Sequence, residues 1–150
     1  MKERLNYQQV APEALKPMIE LEKYVATSGL ERSLYELVKT RASQINGCAY
    51  CLDMHTKDAR KAGETEQRLY ALSAWRETSF YTPKERAALA WTEAVTQISN
   101  EGVSVALFKA TSEHFTEKEM VDLTMAIVAI NGWNRLAISF GTIPGSYHPT

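Results

Sequence analysis

Residues 46–55 read NGCAYCLDMH and hold both cysteines of the 150-residue chain. Two residues separate Cys48 from Cys51, and His55 follows four positions after Cys51. On an α-helix, offsets of three, four and seven share one face, so both thiols and the imidazole can meet. If Gly47 ends one helix, Cys48 stands at the N-terminus of the next. There the unpaired N–H groups and the helix dipole favour thiolate over thiol. His55, one turn beyond Cys51, can take the thiol proton or stabilise the thiolate as an imidazolium. This set suits dithiol redox chemistry. One thiolate attacks a peroxide and becomes a sulfenic acid, and the other thiol condenses with it to a disulfide as water leaves. A partner then reduces the disulfide by thiol exchange.

Other chemistries compete for the same residues. A structural disulfide closing so short a loop removes little unfolded-state entropy and is disfavoured in a reducing compartment. A structural zinc site usually needs four ligands, and His114 and His148 lie far from the pair in sequence. Two inert, buried cysteines stay open as a reading, because free cysteine is often part of a core.

The elements that must position these residues read as helices. The stretch APEALKPMIELEKYVATSG has Pro12 suited to a first turn and Gly29 suited to a stop. SLYELVKTRASQING spaces Leu34, Leu37, Val38 and Ile45 helically and ends at Asn46-Gly47. A helix is expected from near Cys48 to Gly63, then another in TEQRLYALSAW, where Leu69, Leu72 and Trp75 fall three apart. Two capping boxes, Thr82 with Glu85 and Thr116 with Glu119, start RAALAWTEAVTQIS and MVDLTMAIVAINGWNRLAISF. Ser104 caps a shorter helix through about Phe115, although GVSVALF also reads as a short strand without an evident partner. TIPGSYHPT reads as a loose tail. The expectation is an all-α, single-domain helical bundle over residues 1–150, with its core at about 15–140. The wide apolar arc of the helix from Met120 points to a subunit interface.

Composition removes several function classes. Apolar residues make up 45% and charged residues 23%, ordinary for a soluble globular chain. Seventeen basic and 18 acidic side chains give a net charge of -1, so no basic surplus asks for nucleic acid. The N-terminus lacks the apolar stretch of a secretory signal, and the longest apolar run, MAIVAI, is far too short to span a membrane. The expected location is the cytoplasm, where a close cysteine pair is catalytic, redox-sensing or metal-binding more often than structural.

The stretch ELVKTRASQINGCAYCLDMH, Glu36 to His55, resembles the signature of alkylhydroperoxidase D-like proteins of the carboxymuconolactone decarboxylase superfamily. The matching pattern is a glutamate twelve residues before the first cysteine, then CxxC, then the histidine. FTEKEMVDLTMAIVAINGWNRLAISF is similar to the family's closing helix. The resemblance implies an all-helical fold that assembles into homo-oligomers, a trimer or hexamer, with Glu36 and His55 as a proton relay and Cys48 and Cys51 as the redox pair. Glu36 enters through the resemblance alone. Its offset of twelve does not share a face with Cys48 on one continuous helix, but a break at Asn46-Gly47 permits two packed helices to bring it back. One departure is Tyr50, where some peroxidases of the family carry a histidine before the second cysteine; a packing role is expected of it. The decarboxylase branch generally lacks the CxxC pair, which argues against lactone decarboxylation.

The expected function is thus a thiol peroxidase acting on organic hydroperoxides or hydrogen peroxide. Cys51 attacks because His55 is its i+4 neighbour, and Cys48 resolves. The helix N-terminus favours the opposite order. No metal, flavin or haem is called for; electrons come from a dithiol donor, a thioredoxin-like or dihydrolipoyl protein. The alternatives are a disulfide reductase or thiol-exchange protein that uses no peroxide, and a redox-sensing oligomer without turnover. Trp75, Trp91 and Trp133 are expected in the core or an interface. Asn134 and Arg135 are expected in a buried polar network, and Asp53 and Lys57 as solvated helix charges.

Overall fold

Helix-start residues lay out the architecture. The structure, a computed structural model, describes residues 2–149. Among the described residues there are helices and no strand, so the all-α expectation holds. The α-helices are α1 (Tyr7–Val10), α2 (Pro12–Thr27), α3 (Arg32–Asn46), α4 (Ala49–Lys61), α5 (Glu66–Ala71), α6 (Pro83–Thr96), α7 (Ile98–Glu101), α8 (Val105–Ser112) and α9 (Glu117–Phe140).

Both capping boxes form. Thr82 Oγ1 accepts the Glu85 N–H at 3.2 Å while the Glu85 carboxylate accepts the Thr82 N–H at 2.7 Å. Thr116 and Glu119 repeat this at 3.2 and 2.8 Å. Such caps satisfy N–H groups that a helix start leaves unpaired. Ser104 caps α8 through the Leu107 N–H at 3.1 Å, so the VALF half of GVSVALF is helix and no part of it is strand. That helix stops at Ser112, short of the expected Phe115.

TEQRLYALSAW does not run as one helix. After α5 the chain tightens into a 3-10 segment over Leu72–Glu77, with Ala74 off helical geometry. The Arg86 guanidinium caps the end of this segment, donating to the carbonyls of Trp75 at 2.9 Å and Thr78 at 3.0 Å.

At the centre is α3, which packs on α4, α6 and α9. Its apolar side feeds two clusters. Leu34 and Val38 pack with Trp91, Leu123 and Ile127, and Leu37 packs with Leu72, Trp75 and Leu89. Fully burying such a side chain contributes about 1.5–3 kcal/mol, so this side supplies stability. The other side of α3 buries Glu36, Lys39 and Ser43, which are polar. Burying such groups is unfavourable unless they are paired.

The tail corrects a sequence expectation. Instead of hanging loose, it is pinned along α4: Tyr147 donates to Asp58 at 2.7 Å, Gly145 N–H to Asp53 at 3.0 Å, and Lys57 to the Tyr147 carbonyl at 3.0 Å. Asp53 and Lys57 are therefore tail anchors, not solvated charges. Their polar groups give the tail backbone partners that no periodicity in TIPGSYHPT could announce.

Candidate active site

The turn that carries the cysteines is built by Gly47. Its φ of 69° and ψ of 32° are left-handed, a region that L side chains enter only with strain. Gly47 N–H bonds the Gln44 carbonyl at 3.3 Å and Cys48 N–H bonds the Ser43 carbonyl at 3.0 Å, the paired bonds of a Schellman ending. The chain reverses and α4 starts at once, with Cys48 as its N-cap; Cys48 Sγ accepts the Cys51 N–H at 3.3 Å. The two cysteines are joined in a disulfide, with their Cα atoms 5.4 Å apart. In this state neither sulfur is a metal thiolate.

The NGWNR stretch of α9 holds this turn from behind. Asn46 Nδ2 donates to Asn131 Oδ1 at 2.9 Å and to Asn134 Oδ1 at 2.8 Å, and Asn134 Nδ2 donates to Ser43 Oγ at 3.1 Å. Arg135 donates to the Asn131 carbonyl at 2.9 Å. The expected polar network exists, and its function is to lock the α3–α4 turn onto α9.

Folding α4 back along α3 brings Glu36 to His55. Their Oε2 and Nδ1 atoms are 3.0 Å apart, and both side chains are buried. A carboxylate on Nδ1 holds a proton there and leaves Nε2 as the basic nitrogen. Cys51, His55 and Glu36 all line a cavity of about 360 Å³, whose walls include Tyr35, Tyr50, Met54 and Trp133. Cys48 does not line it; it borders a separate pocket of about 270 Å³. All four expected residues are thus brought to one place, but only Cys51 shares the cavity with the relay pair.

Residues that the sequence did not single out complete the wall. Glu22, on α2, takes Lys39 Nζ at 2.5 Å, the Tyr35 hydroxyl at 2.6 Å and the Trp133 indole N–H at 2.9 Å. Burial alone would raise the Glu22 pKa, but the Lys39 charge and the hydrogen bonds from Lys39 and Tyr35 outweigh it and hold the carboxyl below the usual range. Burial pushes the Lys39 ammonium down, partly offset by Glu22. Burial, then the Glu22 charge, pushes the Tyr35 phenol up. Tyr147 is raised to about 12 by burial and by its bond to Asp58.

Asp58 was findable, since it follows His55 by three on the same helix. No spacing leads from the cysteine motif to Glu22 on α2. Trp133, expected in the core or an interface, is a cavity wall. Tyr50 packs against the Cys48–Cys51 cluster, in keeping with its expected packing role.

Glu36, His55 and Asp58 also place one ligand atom each within 4.8 Å of one another. Two carboxylates and an imidazole are donors that a divalent ion accepts. Here, however, the Glu36–His55 hydrogen bond occupies two of those groups, and the charges of Glu36 and Asp58 already act on the Lys39 ammonium.

The chain compares closely with known proteins. Residues 12–94 match the Carboxymuconolactone decarboxylase family. The uncharacterized Bacillus subtilis (strain 168) protein YdfG is 49% identical over 141 residues, which cover 94% of this chain and 96% of that protein. A protein of unknown function from Agrobacterium tumefaciens, suggested to be an antioxidant defence protein AhpD, superposes with a TM-score of 0.94 at 46% identity, over 97% of this chain and 100% of its own. The alkylhydroperoxidase AhpD core of a peroxidase-related protein from Ralstonia eutropha JMP134 gives a TM-score of 0.81 at 22% identity, over 93% and 74% of the two chains, which is a likeness of fold. This chain belongs to the carboxymuconolactone decarboxylase family, as an alkylhydroperoxidase D-like member.

Proposed function

We propose that the protein is a thiol peroxidase that reduces organic hydroperoxides or hydrogen peroxide through Cys51, with Cys48 resolving. The observation that carries this reading is the shared cavity. Cys51 opens into the same space as a buried Glu36–His55 pair, and Cys48 does not. The chemistry follows from the placement. His55 takes the Cys51 proton, with Glu36 stabilising the imidazolium. The thiolate attacks the terminal peroxide oxygen, the O–O bond breaks, and the proton returns from His55 to the departing alkoxide. Cys51 is left as a sulfenic acid. Cys48 then attacks its sulfur, water leaves, and the disulfide seen here forms. A dithiol restores both thiols. The walls from Tyr35, Tyr50, Met54 and Trp133 favour a peroxide with an apolar organic group over a strongly hydrated one.

The proposal extends to assembly and location. An apolar groove of about 730 Å³ runs between α8 and α9, where Phe108 is 52% and Val121 58% exposed. Covering this surface with a second copy of the chain makes it a homo-oligomer interface, with a trimer or hexamer expected. The working location is the reducing cytoplasm, where the dithiol cycle has a donor. No helix among the described residues is long and apolar enough to cross a membrane.

Peroxide consumption with a reducing dithiol present tests the reading. Repeated turnover supports it. Thiol exchange without peroxide use would make the protein a disulfide reductase, and one stoichiometric oxidation would make it a sensor.

A further inference from the structure

The two sulfurs of the disulfide face different surroundings. The Cys51 cavity holds three carboxylates, Glu22, Glu36 and Asp58, against Lys39 and His55. The Cys48 pocket has Lys2 and Arg4 in its lining and no acidic side chain. Tyr50 and Ala137 border both spaces and so stand between them. The N-terminal segment forms the basic wall by running along the end of α9, with Arg4 N–H on the Phe140 carbonyl at 2.9 Å. Arg4 also covers the α9 C-terminus, donating to the carbonyls of Ile138 and Ser139 at 3.5 and 3.0 Å. This sets a cation against the negative end of that helix, while the positive end of α4 points at the same pocket through its N-cap, Cys48.

Thiol exchange is an in-line displacement: the attacking thiolate approaches one sulfur from the side opposite the other. A donor attacking Cys51 must come through the acid-rich cavity, where its negative charge meets three carboxylates. A donor attacking Cys48 comes through the basic pocket. Both cysteines are 1% exposed, so access decides the route. The helix N-terminus makes Cys48 the better leaving group and favours attack on Cys51. That effect is worth only about 0.3–1 kcal/mol at an exposed helix end, which is small against a closed or repulsive approach.

We propose that the disulfide has two entrances: peroxide meets Cys51 in the acid-rich cavity, and a slim, negatively charged dithiol reduces Cys48 through the basic pocket. This rests on the dithiol reading above. The donor's thiolate attacks Cys48 sulfur, the Cys48–Cys51 bond breaks, and its electron pair leaves on Cys51, which His55 can protonate. The donor's second thiol then loses its proton and attacks its first sulfur, expelling Cys48 as a thiolate that takes up that proton. The protein gains two electrons and two protons, and the donor leaves as a disulfide. A pocket of about 270 Å³ admits a free small dithiol or one carried on a flexible arm, not a broad protein surface.

Dihydrolipoate and dihydrolipoamide carry the same thiols and differ in one negative charge. Reduction of the oxidised full chain by each, at low ionic strength, should be on the order of threefold faster with dihydrolipoate, and salt should erase the difference. Lys2→Glu should reverse or abolish the preference without changing single-turnover oxidation by peroxide. Arg4→Gln should weaken it, and Lys2→Glu still reads the effect if Arg4→Gln disturbs folding. Acid-quenched mapping after 3-mercaptopropionate should place the mixed disulfide on Cys48. A mixed disulfide on Cys51, or equal rates for the two dithiols, overturns the proposal. Failure of the peroxidase reading shows elsewhere, as no oxidation of the reduced protein by peroxide. A separate arm offers a lipoyl-bearing domain, whose neutral dihydrolipoyl amide should form its mixed disulfide on Cys48 but reduce the protein more slowly than free dihydrolipoate; capture on Cys51, or an equal rate, overturns the proposal.

Discussion

Glu22 and Glu93 are two partly buried carboxylates with similar surroundings and different company. Each accepts an indole N–H, from Trp133 at 2.9 Å and from Trp75 at 2.8 Å. Each is paired with positive charge. Around Glu93 the cations are arginines, Arg41 at 2.9 Å and Arg76 at 2.5 Å. Around Glu22 the cation is Lys39, with Tyr35 beside it. Arginine keeps its proton in any protein environment and lysine does not, so the Glu93 corner holds a fixed charge pattern while the Glu22 corner can exchange protons. The Glu93 corner also borders a groove of about 390 Å³, but its lining contains neither cysteine nor histidine. The difference lies in what shares the cavity: fixed charges alone at Glu93, titratable groups beside a sulfur at Glu22.

The largest separation of the two corners should appear in peroxide chemistry. Glu36→Gln and His55→Ala keep both thiols and should slow oxidation about 10²–10⁴-fold, the usual loss of general acid–base help. Glu93→Gln should leave that rate unchanged. Stopped-flow oxidation of the reduced protein checks both, and a comparable slowing in Glu93→Gln would dissolve the distinction.

Stability should separate them next. Glu22→Gln strands the Lys39 ammonium in a buried wall and should cost about 3–5 kcal/mol in urea unfolding near neutral pH. The loss should shrink as pH rises, because Lys39, already depressed by burial, sheds its proton. Glu93→Gln lets Arg76, 55% exposed, return to water but strands Arg41, 16% exposed; its cost should be of similar size, about 3–5 kcal/mol, and should not shrink as pH rises, because arginine keeps its proton.

Acid titration sharpens the likeness. At Glu93, burial alone would raise the pKa, but hydrogen bonds from Trp75, Arg76 and Arg41 outweigh it and hold the carboxyl low. Glu22 is also held low. Folded values below the unfolded value of 4.5 mean stability that is present above that pH and lost as pH falls through the folded values. Both glutamine variants should therefore flatten the stability profile below about pH 4.5. The smallest effect should come from Gly47→Ala. Nothing lies within 4 Å of the added carbon, so only the left-handed backbone resists it, at about 1 kcal/mol in thermal unfolding.

Much of this was readable from the chain. Caps and stops at Pro12, Thr82, Thr116 and Gly47 act within a few residues, so local chemistry locates them. Cys48, Cys51 and His55 share a helix face for the same reason. Glu36 entered through family resemblance, because the Gly47 reversal converts an offset of twelve into contact across two helices. Glu22 and Trp133 lie 111 residues apart and meet only through packing, which one sequence does not encode as a pattern. The tail failed as an expectation because its partners, Asp53, Lys57 and Asp58, are ordinary helix charges until the tail lies on them.

In the proposed reaction Cys51, served by His55 and Glu36, attacks the peroxide. The most direct measurement is peroxide consumed per site in single turnover, with mass mapping of the sulfur product, for Cys48→Ser and Cys51→Ser. Cys48→Ser should consume about one equivalent and stall as a Cys51 sulfenic acid, whereas Cys51→Ser should consume none. A Cys48 sulfenic acid in Cys51→Ser, formed at the wild-type rate, would contradict this order of attack.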